Sequence, residues 1–167
     1  FAATGLLQSS TVGGVATSFG YNGFGELTSH ATTVGSAPVY GATLGRDAGG
    51  RIQQQLEMLG GVTTTDVYGY DAAGRLETVT RNGTLAVTYG YDANGNRNAV
   101  TTAGGASAAT FDAQDRILTF GTRTYTHTPH GDVAGWIDSA TATTTTLTYD
   151  VQGNLRTFQQ PGTTVTY

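Results

Sequence analysis

Tyr68-Gly69-Tyr70-Asp71-Ala72-Ala73-Gly74-Arg75-Leu76 decides the fold. The stretch returns as Tyr89-Gly90-Tyr91-Asp92-Ala93-Asn94-Gly95-Asn96-Arg97, and again as Leu147-Thr148-Tyr149-Asp150-Val151-Gln152-Gly153-Asn154-Leu155. Taking the aromatic just before the Asp as an anchor brings weaker copies into line. Anchors then fall at Phe1, Tyr21, Arg46, Tyr70, Tyr91, Phe111, His127, Tyr149 and Tyr167. The intervals average about 21 residues, inside the range of repeat architectures.

Three columns carry the register. One residue past the anchors stand Ala2, Asn22, Asp47, Asp71, Asp92, Asp112, Thr128 and Asp150. Four past stand Gly5, Gly25, Gly50, Gly74, Gly95, Asp115, Gly131 and Gly153. Six past stand Leu7, Leu27, Ile52, Leu76, Arg97, Ile117, Val133 and Leu155. In a chain with 25 Gly among 167 residues, seven Gly in eight fixed places has odds on the order of 1 in 10⁵. An Asp or Asn opening a turn accepts hydrogen bonds from the backbone ahead of it, and Gly at the fourth place tolerates positive φ. Together they predict a type I turn closed by a left-handed residue, a common hairpin connection. The anchor ends the incoming strand, and the residue six on starts the outgoing one.

A second turn closes each unit at the other end. Asn82-Gly83 is a two-residue hairpin signal, and Gly104-Gly105, Phe120-Gly121 and Pro161-Gly162 mark equivalent places. Each repeat therefore reads strand, turn, strand, turn. The expected fold is all-β, a continuous antiparallel meander of roughly sixteen short strands that curls into a spiral or shell-like sheet. The whole chain, 1–167, is expected to form one array of about eight repeats, a window of a longer one. Two stretches fit poorly. Arg51 to Leu59 has helix-forming residues, with a plain strand as the default and a short helix as the alternative. Residues 28–45 are weakly patterned, and a longer loop is expected there.

The Tyr-x-Tyr-Asp-x-x-Gly-Arg-Leu pattern resembles the YD repeat of Rhs (rearrangement hotspot) proteins. That family includes bacterial polymorphic toxins, shells of insecticidal toxin complexes, wall-associated proteins and teneurins. The resemblance implies a β-sheet spiralling into a hollow shell, enclosing an effector in toxins and forming part of an adhesion ectodomain in teneurins. It also implies a secreted or cell-surface parent. Pro38, Pro129 and Pro161 follow Ala, Thr and Gln, so the Asp-Pro autoproteolytic motif of Rhs toxins is not in this stretch.

Composition narrows the function classes. Charged residues make up 12% of the chain against a usual ~25%, so Thr, Ser, Asn and Gln must supply the polarity. All eight basic residues are Arg and the net charge is -4, with no basic stripe for nucleic acid. Without Cys there is no disulfide or thiolate metal site. No apolar run is long enough for a membrane helix.

His127-Thr128-Pro129-His130 invites a metal, but the nearest carboxylate is Asp132, and a degenerate repeat explains the residues better. Asp92-Ala93-Asn94-Gly95-Asn96 faintly resembles a calcium loop, yet loop position twelve holds Ala103 instead of a bidentate Glu. Glu26, Glu57 and Glu77 are the whole stock of Glu, and Ser9, Ser10 and Ser18 have no nucleophile-elbow context. No catalytic, metal or cofactor site is expected. Trp136 is the best single candidate for a sugar platform, with cross-strand aromatic ladders as the stronger reading. Arg75, Arg116 and Arg156 are expected to make surface hydrogen bonds beside the turns.

The residues expected to matter are thus structural: the anchors Tyr21, Tyr70, Tyr91, Phe111, Tyr149 and Tyr167, and the turn residues Asp47, Asp71, Asp92, Asp112, Asp150, Gly25, Gly50, Gly74, Gly95, Gly131 and Gly153. The expected function is a non-catalytic segment of a shell wall. An adhesin, filament or matrix element joined through sheet edges is the alternative, and a carbohydrate-binding module the second. Expected partners are flanking repeats or further copies of the chain, with an enclosed effector or a glycan beyond them.

Overall fold

The computed structural model describes residues 4–167; the anchor Phe1 and the turn residue Ala2 lie outside them. The strands follow one another in sequence order as an antiparallel meander, with no helix among the described residues. The chain divides at Thr88/Tyr89 into two compact units.

The first unit holds β1 (Ser9–Val12), β2 (Val15–Tyr21), β3 (Leu27–Val34), β4 (Ala37–Arg46), β5 (Ile52–Leu59), β6 (Val62–Tyr70), β7 (Leu76–Arg81) and most of β8 (Thr84–Tyr91). The second holds the end of β8, then β9 (Arg97–Thr102), β10 (Gly105–Phe111), β11 (Ile117–Phe120) and β12 (Arg123–His127). It continues with β13 (Val133–Asp138), β14 (Thr143–Tyr149), β15 (Leu155–Gln160) and β16 (Thr163–Thr166).

Two expectations are settled here. The 52–59 stretch is strand β5, because its partners on β4 and β6 take its backbone hydrogen bonds along the whole length. The longer loop expected within 28–45 is absent: β3 and β4 are joined by Gly35-Ser36 alone, with Val34 opposite Ala37. Its weak pattern comes from residues such as Ser29, Ala31, Gly41 and Thr43, all on one face of the sheet. Small residues pair well without producing an alternating hydrophobic signal.

The two-residue turns sit where the strand ends meet. Asn82 and Gly83 both take positive φ (49° and 80°), the conformation of a primed hairpin turn. Two of the other markers are displaced by one residue. Thr102 pairs with Gly105 and Phe120 with Arg123, so the turns are Ala103-Gly104 and Gly121-Thr122.

Side chains alternate between the faces of each unit. In the first, Phe19, His30 and Tyr40 lie along one face, with Phe19 stacked on His30 at 4.9 Å. In the second, Tyr125 faces Trp136 at 5.9 Å, and Trp136 meets Phe158 at 6.3 Å over the buried Thr145. The opposite face is made mainly of Gly, Ala, Ser and Thr, with a few apolar residues and the glutamines Gln54 and Gln159. The cross-strand pairs Gly20–Ser29, Ala31–Gly41 and Gly69–Thr78 belong to it in the first unit. Thr110–Thr119, Thr148–Thr157 and Thr157–Thr166 belong to it in the second. None of the register-paired residues on that face is charged. Among the described residues no large side chain is fully buried, so the aromatic face is held by side chains leaning on one another across strands.

Candidate functional site

The feature that repeats is a turn with one hydrogen-bond plan. In the turn after Tyr70, the Asp71 N–H donates to the Arg75 carbonyl at 2.9 Å, and the Gly74 N–H donates back to the Asp71 carbonyl at 2.9 Å. Asp71 Oδ1 accepts from the Ala73 and Arg75 N–H groups, both at 2.9 Å, and Oδ2 accepts from Arg75 Nε at 2.7 Å. One carboxylate thus serves two backbone donors and a guanidinium. The turns at Asp47 and Asp112 repeat this with Arg51 and Arg116. Those at Asp92 and Asp150 use Asn96 and Asn154, with Arg156 Nη2 joining Asp150 at 2.8 Å. At Asn22 the carboxylate and the donor exchange places: the Asn22 amide donates to Glu26 Oε2 at 2.7 Å. Thr128 closes the seventh turn with its hydroxyl, which accepts from the Asp132 N–H.

These contacts hold the carboxylates ionised. Asp150 lies at about 2, lowered first by the Asn154 backbone N–H and next by its side-chain amide. Asp47 is lowered chiefly by the Arg51 side chain, and Asp71 and Asp112 chiefly by the N–H of Arg75 and Arg116. Burial pushes Asp92 up, but the Asn96 side chain and the N–H groups of Asn96, Asn94 and Gly95 outweigh it.

The anchors join one turn to the next. Tyr70 pairs with Leu76 and Gly69 with Thr78, leaving Glu77 as the extra residue of a β-bulge. The same register shift stands before Tyr21, Arg46, Phe111, His127 and Tyr149. The Tyr21, Tyr70 and Tyr149 hydroxyls then donate to the Leu7, Ile52 and Val133 carbonyls, at 2.9, 2.5 and 2.9 Å. Each acceptor is the outgoing residue of the preceding turn. Arg46 does the same work without a ring: its Nη2 donates to the Leu27 carbonyl at 3.2 Å. Arg51 adds a second tie by lying 4.5 Å over the Tyr70 ring. Tyr167, at the end of the chain, has its N–H on the Arg156 carbonyl at 3.0 Å.

Departures from the columns have local causes. Asp115 stands where the others have Gly, at φ 60°. Its Oδ1 accepts from the Asn94 and Asn96 amides of the turn before, at 2.8 and 2.7 Å. Arg97, in the apolar column, lies 5.0 Å over Tyr89. The column just before the anchor was missed in the sequence. It is Gly or Thr throughout, and Thr110–Thr119 and Thr148–Thr157 are hydroxyl pairs at 2.7 and 2.6 Å.

The other candidates are scattered. His127 is paired with Val133 in the sheet, while His130 is exposed in its turn. Glu57 faces Thr64, and Ser9 faces Ser18. Among the described residues no three His, Cys, Asp or Glu side chains gather as a metal site. Trp136 is tied up between Tyr125, Phe158 and the Arg123 guanidinium.

The Tyr-Asp turns and bulges extend through the described chain, and the teneurin YD-shell family profile matches residues 2–167. The chain belongs to the teneurin YD-shell family. It is similar in fold to the TcdB2-TccC3-Cdc42 structure, at 19% identity and a TM-score of 0.60, over 99% of this chain and 9% of that one. It is similar to the Photorhabdus luminescens Tc holotoxin pore with a mutated TccC3, at 20% identity and a TM-score of 0.60, over 100% and 9%. The YD-shell segment therefore spans about a tenth of the length of these chains. No curated protein matches it.

Proposed function

We propose that this YD-shell segment is a non-catalytic piece of the wall of a secreted or surface toxin shell, and that its work is to extend that wall. The observation that carries the reading is the turn-to-turn bond: the anchors Tyr21, Arg46, Tyr70 and Tyr149 each grip a main-chain carbonyl of the repeat before them. A main-chain acceptor is present in every repeat whatever its side chains, so such units add indefinitely in one direction. The single array of about eight repeats is then one stretch of a longer spiral, with the anchors and turn Asp and Gly residues as its working parts. Flanking repeats are its immediate partners and an enclosed effector its cargo. The test is electron microscopy and limited proteolysis of the full-length parent polypeptide. Closed hollow particles with a protease-protected region inside are expected; extended filaments or a solid globular particle overturn the reading.

The glycan reading is weaker, because Trp136 and its neighbours pack on one another.

A further inference from the structure

We infer that the wall parts between β11 and β12. The inference rests on strand register and side-chain contacts inside the second unit, and stands whether or not the wall encloses cargo. β11 is four residues long, and its pairing with β12 consists of Thr119↔Thr124 and Phe120↔Arg123. Every other pairing described has at least three partners in register, and most have four to seven.

Side chains sort β11 and β12 to opposite sides of this seam. Thr119 shares a hydroxyl bond with Thr110, and the Gly121 N–H donates to the Ala108 carbonyl at 2.9 Å, tying β11 and the tip of its hairpin to β10. Tyr125 packs on Trp136, Arg123 Nε donates to Asp138 Oδ2 at 3.3 Å, and Thr122 Oγ1 donates to Asp138 Oδ1 at 2.8 Å, tying β12 to β13. No side-chain hydrogen bond or ring contact crosses from β11 to β12 among the described residues.

The anchor supplies no tie across this seam either. At this step the anchor is His127, and the carbonyl that a Tyr hydroxyl would reach is that of Ile117. His127 makes no such bond, whereas Tyr149 makes it at the next step. Two clefts border the seam. One is lined by Phe111, Ile117, Phe120 and Tyr125, the other by Ala108, Thr119, Phe120, Arg123 and Asp138. Two register pairs with no side-chain tie give a strand boundary of low local stability, the kind that opens before the rest of a sheet.

Hydrogen exchange on the whole chain, read by mass spectrometry, tests this. Amides of residues 117–126 are expected to exchange about tenfold faster than those of β14 and β15. His127→Tyr, which supplies the missing hydroxyl, is expected to slow them about fivefold, the worth of one hydrogen bond. The pair Thr119→Cys with Thr124→Cys, once oxidised, is expected to abolish the excess without depending on the anchor. Uniform exchange across β10–β15, fastest exchange elsewhere in the unit, or an excess that neither change reduces overturns the inference.

Discussion

The Tyr149 hydroxyl donates to the Val133 carbonyl oxygen at 2.9 Å, so the anchor of one repeat is fastened to the main chain of the repeat before it. Tyr149→Phe removes that donor and leaves the ring. The expected cost is about 1 kcal/mol, the net worth of one such bond. A urea melt should show a lower midpoint with an unchanged slope. Arg46→Tyr keeps the tie to the preceding carbonyl but loses the Arg46 Nη1 bond to the Gly50 carbonyl at 3.0 Å, so by the same measurement it should cost about 1 kcal/mol. A large loss from Arg46→Tyr would mean that its charge, beside Glu26 at 3.7 Å, matters more than its donor.

Asp115 exchanges backbone ease for two side-chain bonds. Asp115→Gly relieves the positive φ but releases Asn94 and Asn96, so the two effects offset. Asp115→Ala keeps the strain and loses the bonds, at roughly 1–2 kcal/mol. Thermal melts should rank the wild type and Asp115→Gly together, with Asp115→Ala clearly below.

Glycines of the sheet divide by what surrounds them. A Cβ at Gly69 meets the Thr78 hydroxyl, which can turn away. The same position in other repeats carries Thr110 and Thr148, so Gly69→Ala should cost well under about 1 kcal/mol. A Cβ at Gly135 meets the Thr145 carbonyl, and the backbone has no such freedom. Gly135→Ala should cost about 1–3 kcal/mol by overpacking. Equal effects of the two substitutions would contradict this distinction.

Acid should act late. The turn carboxylates are lower in the folded chain than in the unfolded one, so the unfolded chain takes up protons first as pH falls. Their contribution to stability is complete above the ordinary carboxylate value of 3.8 and is lost on the way down to about 2, where Asp150 titrates. Thermal melts followed by circular dichroism should change little from pH 7 to pH 5 and fall steeply below pH 4. A steep loss between pH 7 and pH 5 would assign the acid response to groups other than these.

The turn was readable because its demands are local. Asp71 and Gly74 meet a backbone geometry set within five residues, and the Asp and Gly columns follow from it. Arg46 and His127 both stand where the other anchors are Tyr or Phe, and nothing in the sequence separates them. One reaches the Leu27 carbonyl and the other reaches nothing equivalent, a difference that depends on a strand about twenty residues earlier. The Gly or Thr column before the anchor was visible in Tyr-Gly-Tyr-Asp but had no reason attached until Gly69 was seen opposite Thr78. The loop expected within 28–45 failed because residues such as Ala31 and Gly41 hold register through backbone bonds alone.

The small, uncharged face follows from the same economy. Its paired residues contribute no ion pair and no anchor bond, and the turns close without them. Substitutions there that do not press on the backbone, as a side chain at Gly135 would, should therefore cost folding little, so that surface is free to change for whatever it must touch or avoid while the architecture persists. Fold likeness at 19–20% identity is compatible with such a division of labour.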